Sequence, residues 1–178
     1  MRKEGAGVPD IQTDRLSIVT FSLDLMWAAL HDRVALADRL RARVPAAWPG
    51  PDYAEVLPGQ LRNLEPDPDA AIWSALLVHR ADATLVGDAG FLGGPDPYGT
   101  VEIGYSIVPA YRGHGLATEA VQALTVWAFN QPGVCRVVAS CAPDNRASIR
   151  VLEKAGFRHR GDIDKDGLLR WDRYPGDA

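Results

Sequence analysis

Tyr111-Arg112-Gly113-His114-Gly115-Leu116-Ala117-Thr118 decides how this chain is read. Before it, Val101 to Val108 alternates as a strand. After it, Leu116, Ala120, Leu124 and Trp127 mark one face of a long helix that ends before Pro132-Gly133. A glycine-rich turn opening into a helix gathers backbone N–H groups at the positive end of the helix dipole, which suits an anion. Gly113 and Gly115 permit the positive φ such a turn requires, and the small Ala117 lets the next turn approach closely. Two familiar phosphate motifs fit badly. Thr118 stands where a dinucleotide-binding fingerprint needs its third glycine, and the Gly-Lys-Ser/Thr of a P-loop is missing.

Working outward, Val134 to Cys141 is β-branched and reads as a central strand. Asn145 then caps a helix that turns Ile149 and Leu152 inward and stops at Gly156. Phe157 to Ile163 and Leu168 to Tyr174 make a closing hairpin about Asp166-Gly167. On the other side, Ile72 to His79 and Thr84 to Leu92 form a hairpin across Ala81-Asp82. Nearer the start, Arg15 to Val19 is a strand and Ser22 caps a helix with a stripe of Leu23, Met26, Trp27 and Leu30. A second helix near Leu36 to Val44 stops at Pro45, and a third runs near Ala54 to Leu64. Residues 1–13 read as a flexible leader and 14–178 as a single domain without repeats. The order implies a mixed α/β sheet with one strand–helix–strand crossover.

Composition narrows the function. The 178 residues are 47% apolar, enough for one full core, yet no run is long enough to span a membrane. The start lacks the apolar run of a signal peptide, and Cys135 and Cys141 fall in one predicted strand, too far apart to bridge; both suggest a reduced, cytoplasmic protein. His31, His79, His114 and His159 are scattered, so no metal site is expected. The net charge of −4 argues against nucleic acid as a partner. The charge is uneven, however: Pro109 to Arg160 carries seven Lys/Arg against three acids, a basic segment around the glycine turn that suits a small polyanion. The pattern leaves a homodimer open.

Arg112, Gly115 and Ala117, followed at the right distance by Asn145-Arg146-Ala147-Ser148 and Glu153-Lys154-Ala155-Gly156-Phe157, resemble the GNAT superfamily of acetyl-CoA-dependent N-acyltransferases. Val101-Glu102-Ile103-Gly104-Tyr105 and Ser148 are similar to the branch that acetylates ribosomal-protein N-termini. The resemblance implies a mostly antiparallel mixed sheet, helices on both faces, and a splayed strand pair admitting the cofactor. Acetyl-CoA would be the co-substrate, bound by Arg112, Gly113, His114, Gly115, Leu116, Ala117 and Thr118, with its diphosphate on the N–H groups of Gly113, Gly115 and Ala117. Its pantetheine arm would pair with Ile107 and Val108, where the family's strand bulges, and the N–H near Ile107 would polarise the thioester. Asn145 would hold the pantetheine amide.

Acetyl transfer needs a neutral amine. A lysine-like amine of pKa ~10.4 is neutral in only ~0.04% of molecules at pH 7, against ~14% for an α-amine near ~7.8. The resemblance makes Glu102 the base; read as a residue alone, it is equally a polar group on a strand face. Leu152 occupies the position where many relatives carry a thiol-protonating tyrosine, which leaves Ser148 for the sulfur. Asn145 and Ser148 are also favourable helix-start residues in their own right. The expected activity is acetylation of a primary amine, a protein N-terminus or a small molecule, in a ternary complex. Competing readings are a non-catalytic CoA-binding module and a nucleotide-binding regulator. Trp48 reads as a packed loop residue, Cys141 as core, and residues 45–70 as the wall of the acceptor pocket.

Overall fold

A computed structural model of the chain describes residues 11–177. Eight strands form one sheet: β1 (Ile11–Gln12), β2 (Leu16–Thr20), β3 (Ser74–His79), β4 (Thr84–Phe91), β5 (Thr100–Ile107), β6 (Arg136–Cys141), β7 (Arg158–Ile163) and β8 (Leu169–Arg173). They lie in the order β1-β2-β3-β4-β5-β6-β8-β7, antiparallel throughout except where β5 and β6 run parallel. That pair is joined by the helical crossover expected from the sequence. Five helices complete the fold: α1 (Leu23–His31), α2 (Arg33–Leu40), α3 (Pro51–Leu64), α4 (Leu116–Phe129) and α5 (Arg146–Lys154).

Alternation along β4 and β5 separates the two faces. Phe91 and Ile103 turn toward α4, where Trp127 packs 6.0 Å from the Phe91 ring. Asp88 and Ser106 turn the other way, toward α3 and the loop before it. Buried Leu116, Ala120, Val121, Leu124 and Ala128 give α4 its apolar face, and α5 contributes the fully buried Leu152.

Several boundaries differ from the sequence reading. The first helix is capped by Ser22 as expected, but it buries Leu25, Met26 and Ala28; Trp27 is half exposed and stacks on His31 instead. The second helix begins and ends earlier, since Asp32 caps it and Arg41 leaves it in the left-handed conformation at φ 49°. The third begins at Pro51, and a 3-10 turn over Pro68–Trp73 delays β3 to Ser74. Cys135 precedes β6 rather than lying in it, its thiol donating to the Tyr98 carbonyl. Of the expected leader, residues 1–10 lie outside the described residues. Ile11 and Gln12 pair with Ile18 and Ser17, so this part is strand rather than frayed chain.

The parting of β5 and β6 positions the site. They pair only at Thr100/Arg136, Val101/Val137 and Glu102/Val138. Beyond those residues β5 keeps β4 in unbroken register to Ile107/Gly87, while β6 continues beside β8 alone. The bulge expected near Ile107 is therefore absent from the β4–β5 ladder; the register shifts instead between β3 and β4, at Leu77/Val78. Removing the buried Leu152 side chain leaves a cavity under α5. Leu152→Ala should lower unfolding free energy by about 2–5 kcal/mol in urea titrations.

Candidate active site

Hydrogen-bond alternation shows what the parted strands expose. Val108 N–H donates to Val86 carbonyl and Leu92 N–H to Glu102 carbonyl, so residues 102, 104, 106 and 108 of this segment face β4. The main-chain groups of Tyr105 and Ile107 therefore point into the gap, past the end of the β6 ladder. Of the two residues expected to pair with the pantetheine arm, this suits Ile107 only. Val108 is already paired on both sides, its carbonyl accepting from Tyr111 N–H.

At the mouth of the gap stands the glycine turn. Gly113 and Gly115 take φ +80° and +79°, as the sequence requires. Gly115 is the N-cap of α4, and among the described residues no side chain caps that helix, whereas Ser22, Asp32 and Asn145 cap α1, α2 and α5. The first-turn N–H groups of Leu116, Ala117 and Thr118 are thus left for another acceptor. Arg112 ties the turn to β5, its Nε donating to the Ile107 carbonyl at 2.7 Å. His114 is exposed, and its carbonyl accepts from Arg15.

Arg15 is a residue that sequence reasoning missed. Its Nε donates to Glu119 Oε2 at 2.7 Å and its main-chain N–H to Glu119 Oε1, which also accepts from the Thr13 hydroxyl at 2.6 Å. Glu119 in the first turn of α4 would repel an incoming anion. Partial burial pushes its carboxyl up, but the hydrogen bonds and charge from Thr13 and Arg15 outweigh this and hold it below the usual carboxylate range. The arginine neutralises the acid and stays at the turn.

On the other side of the gap, Asn145 accepts from Ser148 N–H at 3.0 Å and so acts as the expected helix cap. Ser148 Oγ lies 2.7 Å from the Tyr105 hydroxyl, which reaches it from β5. Burial pushes the Tyr105 phenol up to about 12, so it remains protonated, a donor, at neutral pH. Tyr105 was legible only as the end of a motif. The structure makes it the hydroxyl nearest Ser148, in the region where Leu152 contributes none.

A cavity of about 640 Å³ opens between α3 and strands β4 and β5 and runs past Ile107 to Arg112. Tyr53 and Val56 of α3, Leu92 and Val108 give it apolar walls, and Gly104 leaves open space in its floor. Within the 45–70 stretch, the residues that line it run from Ala47 to Gln60. Trp48 is packed, as the sequence suggests, edge-on to Phe21 at 6.1 Å and held by Arg33 through its carbonyl.

Asp52 of α3 lines the cavity from an exposed position, and two carboxylates of the sheet share this face. Glu102 lies at the margin, outside the cavity lining: its Oε1 accepts from Ser140 Oγ at 2.7 Å and sits 3.8 Å from Arg170. Asp88 lines the cavity and is almost fully buried. Its Oδ2 accepts from Trp48 Nε1 at 2.8 Å and from Ser106 Oγ at 2.9 Å. Burial pushes its carboxyl up to about 6, although those two bonds pull the other way. With Asp88 ionised, its charge adds to burial in raising the Tyr53 phenol.

The sign of the Asp88 effect follows from its raised value. Between about pH 4 and 6 the folded state holds a proton that the unfolded state has lost, so this group's contribution to stability falls as pH rises through that window. Asp88→Asn, which keeps an acceptor oxygen for Trp48 and Ser106, should gain on the wild type across the same window. The gain is roughly 3 kcal/mol, read from paired urea titrations at pH 4 and pH 7.

Residues 22–158 match the family model described as "Acetyltransferase (GNAT) domain". The chain is 32% identical over 148 residues to an uncharacterised N-acetyltransferase of Bacillus subtilis strain 168, YjdG, covering 83% of this chain and 88% of that one. It is 31% identical over 165 residues to the aminoglycoside N(6')-acetyltransferase type 1 of Klebsiella pneumoniae, covering 84% and 82%. Among solved structures, a GNAT-family acetyltransferase of Bacillus anthracis superposes with a TM-score of 0.64 at 24% identity, over 92% of this chain and 97% of that one. RimL, a ribosomal L7/L12 alpha-N-protein acetyltransferase in complex with coenzyme A, superposes with a TM-score of 0.64 at 16% identity, over 94% and 97%.

Proposed function

The chain belongs to the GNAT family of N-acetyltransferases, and from that premise we propose that it moves an acetyl group from acetyl-CoA to a primary amine by direct attack in a ternary complex. The observation that carries this reading is the gap between β5 and β6, bordered by the uncapped start of α4, the Ile107 main chain and the Tyr105–Ser148 pair. The relatives named for aminoglycosides and for a ribosomal protein both acetylate an amine, and they support that acceptor class rather than one compound.

In this reading the diphosphate rests on the N–H groups of residues 113–118, with Arg15 and Arg112 beside it. The pantetheine arm adds to the exposed edge of β5 as a strand would, through Ile107. Ile107 N–H then points at the thioester oxygen, where negative charge develops. The amine nitrogen bonds to the carbonyl carbon and gives its proton, along a chain of several waters, to Glu102, whose Oε2 makes no protein hydrogen bond among the described residues. The carbon–sulfur bond breaks, Tyr105 donates to Ser148, whose own hydroxyl donates to the departing thiolate, and the sulfur takes up a proton from water. Asn145 stands at the pantetheine amide while capping α5.

Thiol release from acetyl-CoA against a panel of a peptide N-terminus, an aliphatic amine and an aminoglycoside tests this directly. At least one acceptor should release thiol above the hydrolysis background. Glu102→Gln should lower kcat by about 10²–10³-fold with unchanged coenzyme affinity, and Ser148→Ala by roughly tenfold. Coenzyme binding without thiol release on any amine would make the chain a non-catalytic binding module.

A further inference from the structure

We propose that Asp88 receives the acceptor, holding its amine as an ammonium ion through Oδ1, so that the acceptors are cationic primary amines borne on an apolar body. This rests on the acetyl-transfer reading above and names the substrate class of that same site.

Three observations converge on Asp88. Both of its protein hydrogen bonds end on one oxygen, Oδ2, so Trp48 and Ser106 fix the carboxylate plane and leave Oδ1 without a protein partner among the described residues. No ion pair reaches it there: the salt bridges of the described residues involve other carboxylates. A desolvated carboxylate lacking a cation is costly, and a cationic ligand offsets that cost. Finally, it borders the cavity that runs along β4 and β5 to Ile107 and Arg112.

Its position along the sheet is also apt. Asp88 pairs with Ser106, which adjoins Ile107, the residue whose N–H enters the gap. Glu102 lies five residues before Ile107, about 16 Å along the strand. Asp88 is therefore the carboxylate beside the thioester's place, and Glu102 the more distant one. Tyr53 and Val56 line the cavity with Asp88, and Leu92 and Val56 are exposed at its rim. An aromatic face and aliphatic rim favour an apolar body behind the charge, with Tyr53 adding a cation–π surface. At neutral pH nearly all of a lysine-like amine is charged, so capture of the ammonium form is the step that loads the site; one proton then passes to water, and the neutral nitrogen attacks and gives up its second proton as described above.

The test uses benzylamine and its neutral counterpart benzyl alcohol, titrated against the whole protein with and without coenzyme A and followed by thermal shift. Benzylamine should raise Tm and benzyl alcohol should not. Asp88→Asn should weaken benzylamine at least tenfold while the shift given by coenzyme A stays unchanged, and Ser106→Ala should weaken it about threefold. With an accepted amine, Asp88→Asn should raise KM for that amine and leave KM for acetyl-CoA alone. Equal benzylamine binding in wild type and Asp88→Asn, equal shifts from the amine and the alcohol, or no benzylamine binding to wild type overturns the assignment. Should Asp88→Asn not fold, unchanged binding in Ser106→Ala overturns it. Loss of the coenzyme A shift in wild type overturns the acetyl-transfer reading instead, and the amine titration without coenzyme still decides Asp88.

Discussion

Two parallel strands that stop pairing after three residues are the constraint on which this molecule turns. A sheet interior ordinarily satisfies every N–H and C=O in its ladder. Here β5 leaves β6 after Glu102/Val138 while holding β4 to its last residue, so the main chain of Tyr105 and the N–H of Ile107 face the gap, and among the described residues only the Ile107 carbonyl finds a partner, in Arg112. An unfilled ladder inside a protein is costly, and a guest that hydrogen-bonds like a strand relieves it. The uncapped helix start, the hydroxyl pair and the cavity stand around that opening because the crossover through α4 and the return through α5 deliver them there.

Side chains on the two borders of the gap have different electrostatic tasks. Toward α4 the surroundings are arranged for negative charge, with free N–H groups, Arg112 and an arginine cancelling the acid in the first turn. Toward α3 they hold a buried carboxylate. On the acetyl-transfer reading, an anionic carrier and a cationic acceptor would be drawn to opposite sides of one opening.

Much of this is legible in the sequence because it depends on local rules. Glycines at 113 and 115 require a particular backbone, Asn145 caps as its type predicts, and the apolar period of α4 holds from Leu116 to Ala128. The misreadings arise where local rules stay silent. Arg41 ends α2 in a left-handed conformation without a glycine to announce it, so the apolar residues up to Val44 prolong the helix on paper. Trp27 sits on the exposed side of a short helix, where its size invites the opposite assignment. Asp88 escapes for another reason: its meaning comes from Trp48 forty residues away and from Ser106 on the next strand. Arg15 and Glu119 are likewise joined across 104 residues. The turn and fold are written locally, whereas the acceptor side depends on contacts that only the folded chain creates.

The clasp of Arg15 and Thr13 on Glu119 has a mechanical corollary. Strand β1 is two residues long and borders the sheet with little else to fasten it, yet the residues just after it grip the opening turn of α4. Sheet margin and helix start are therefore fastened by the same contacts. Fraying of that margin would part Glu119 from its arginine and leave a bare negative charge where an anion would rest, so an edge of the sheet governs the affinity of a distant helix start.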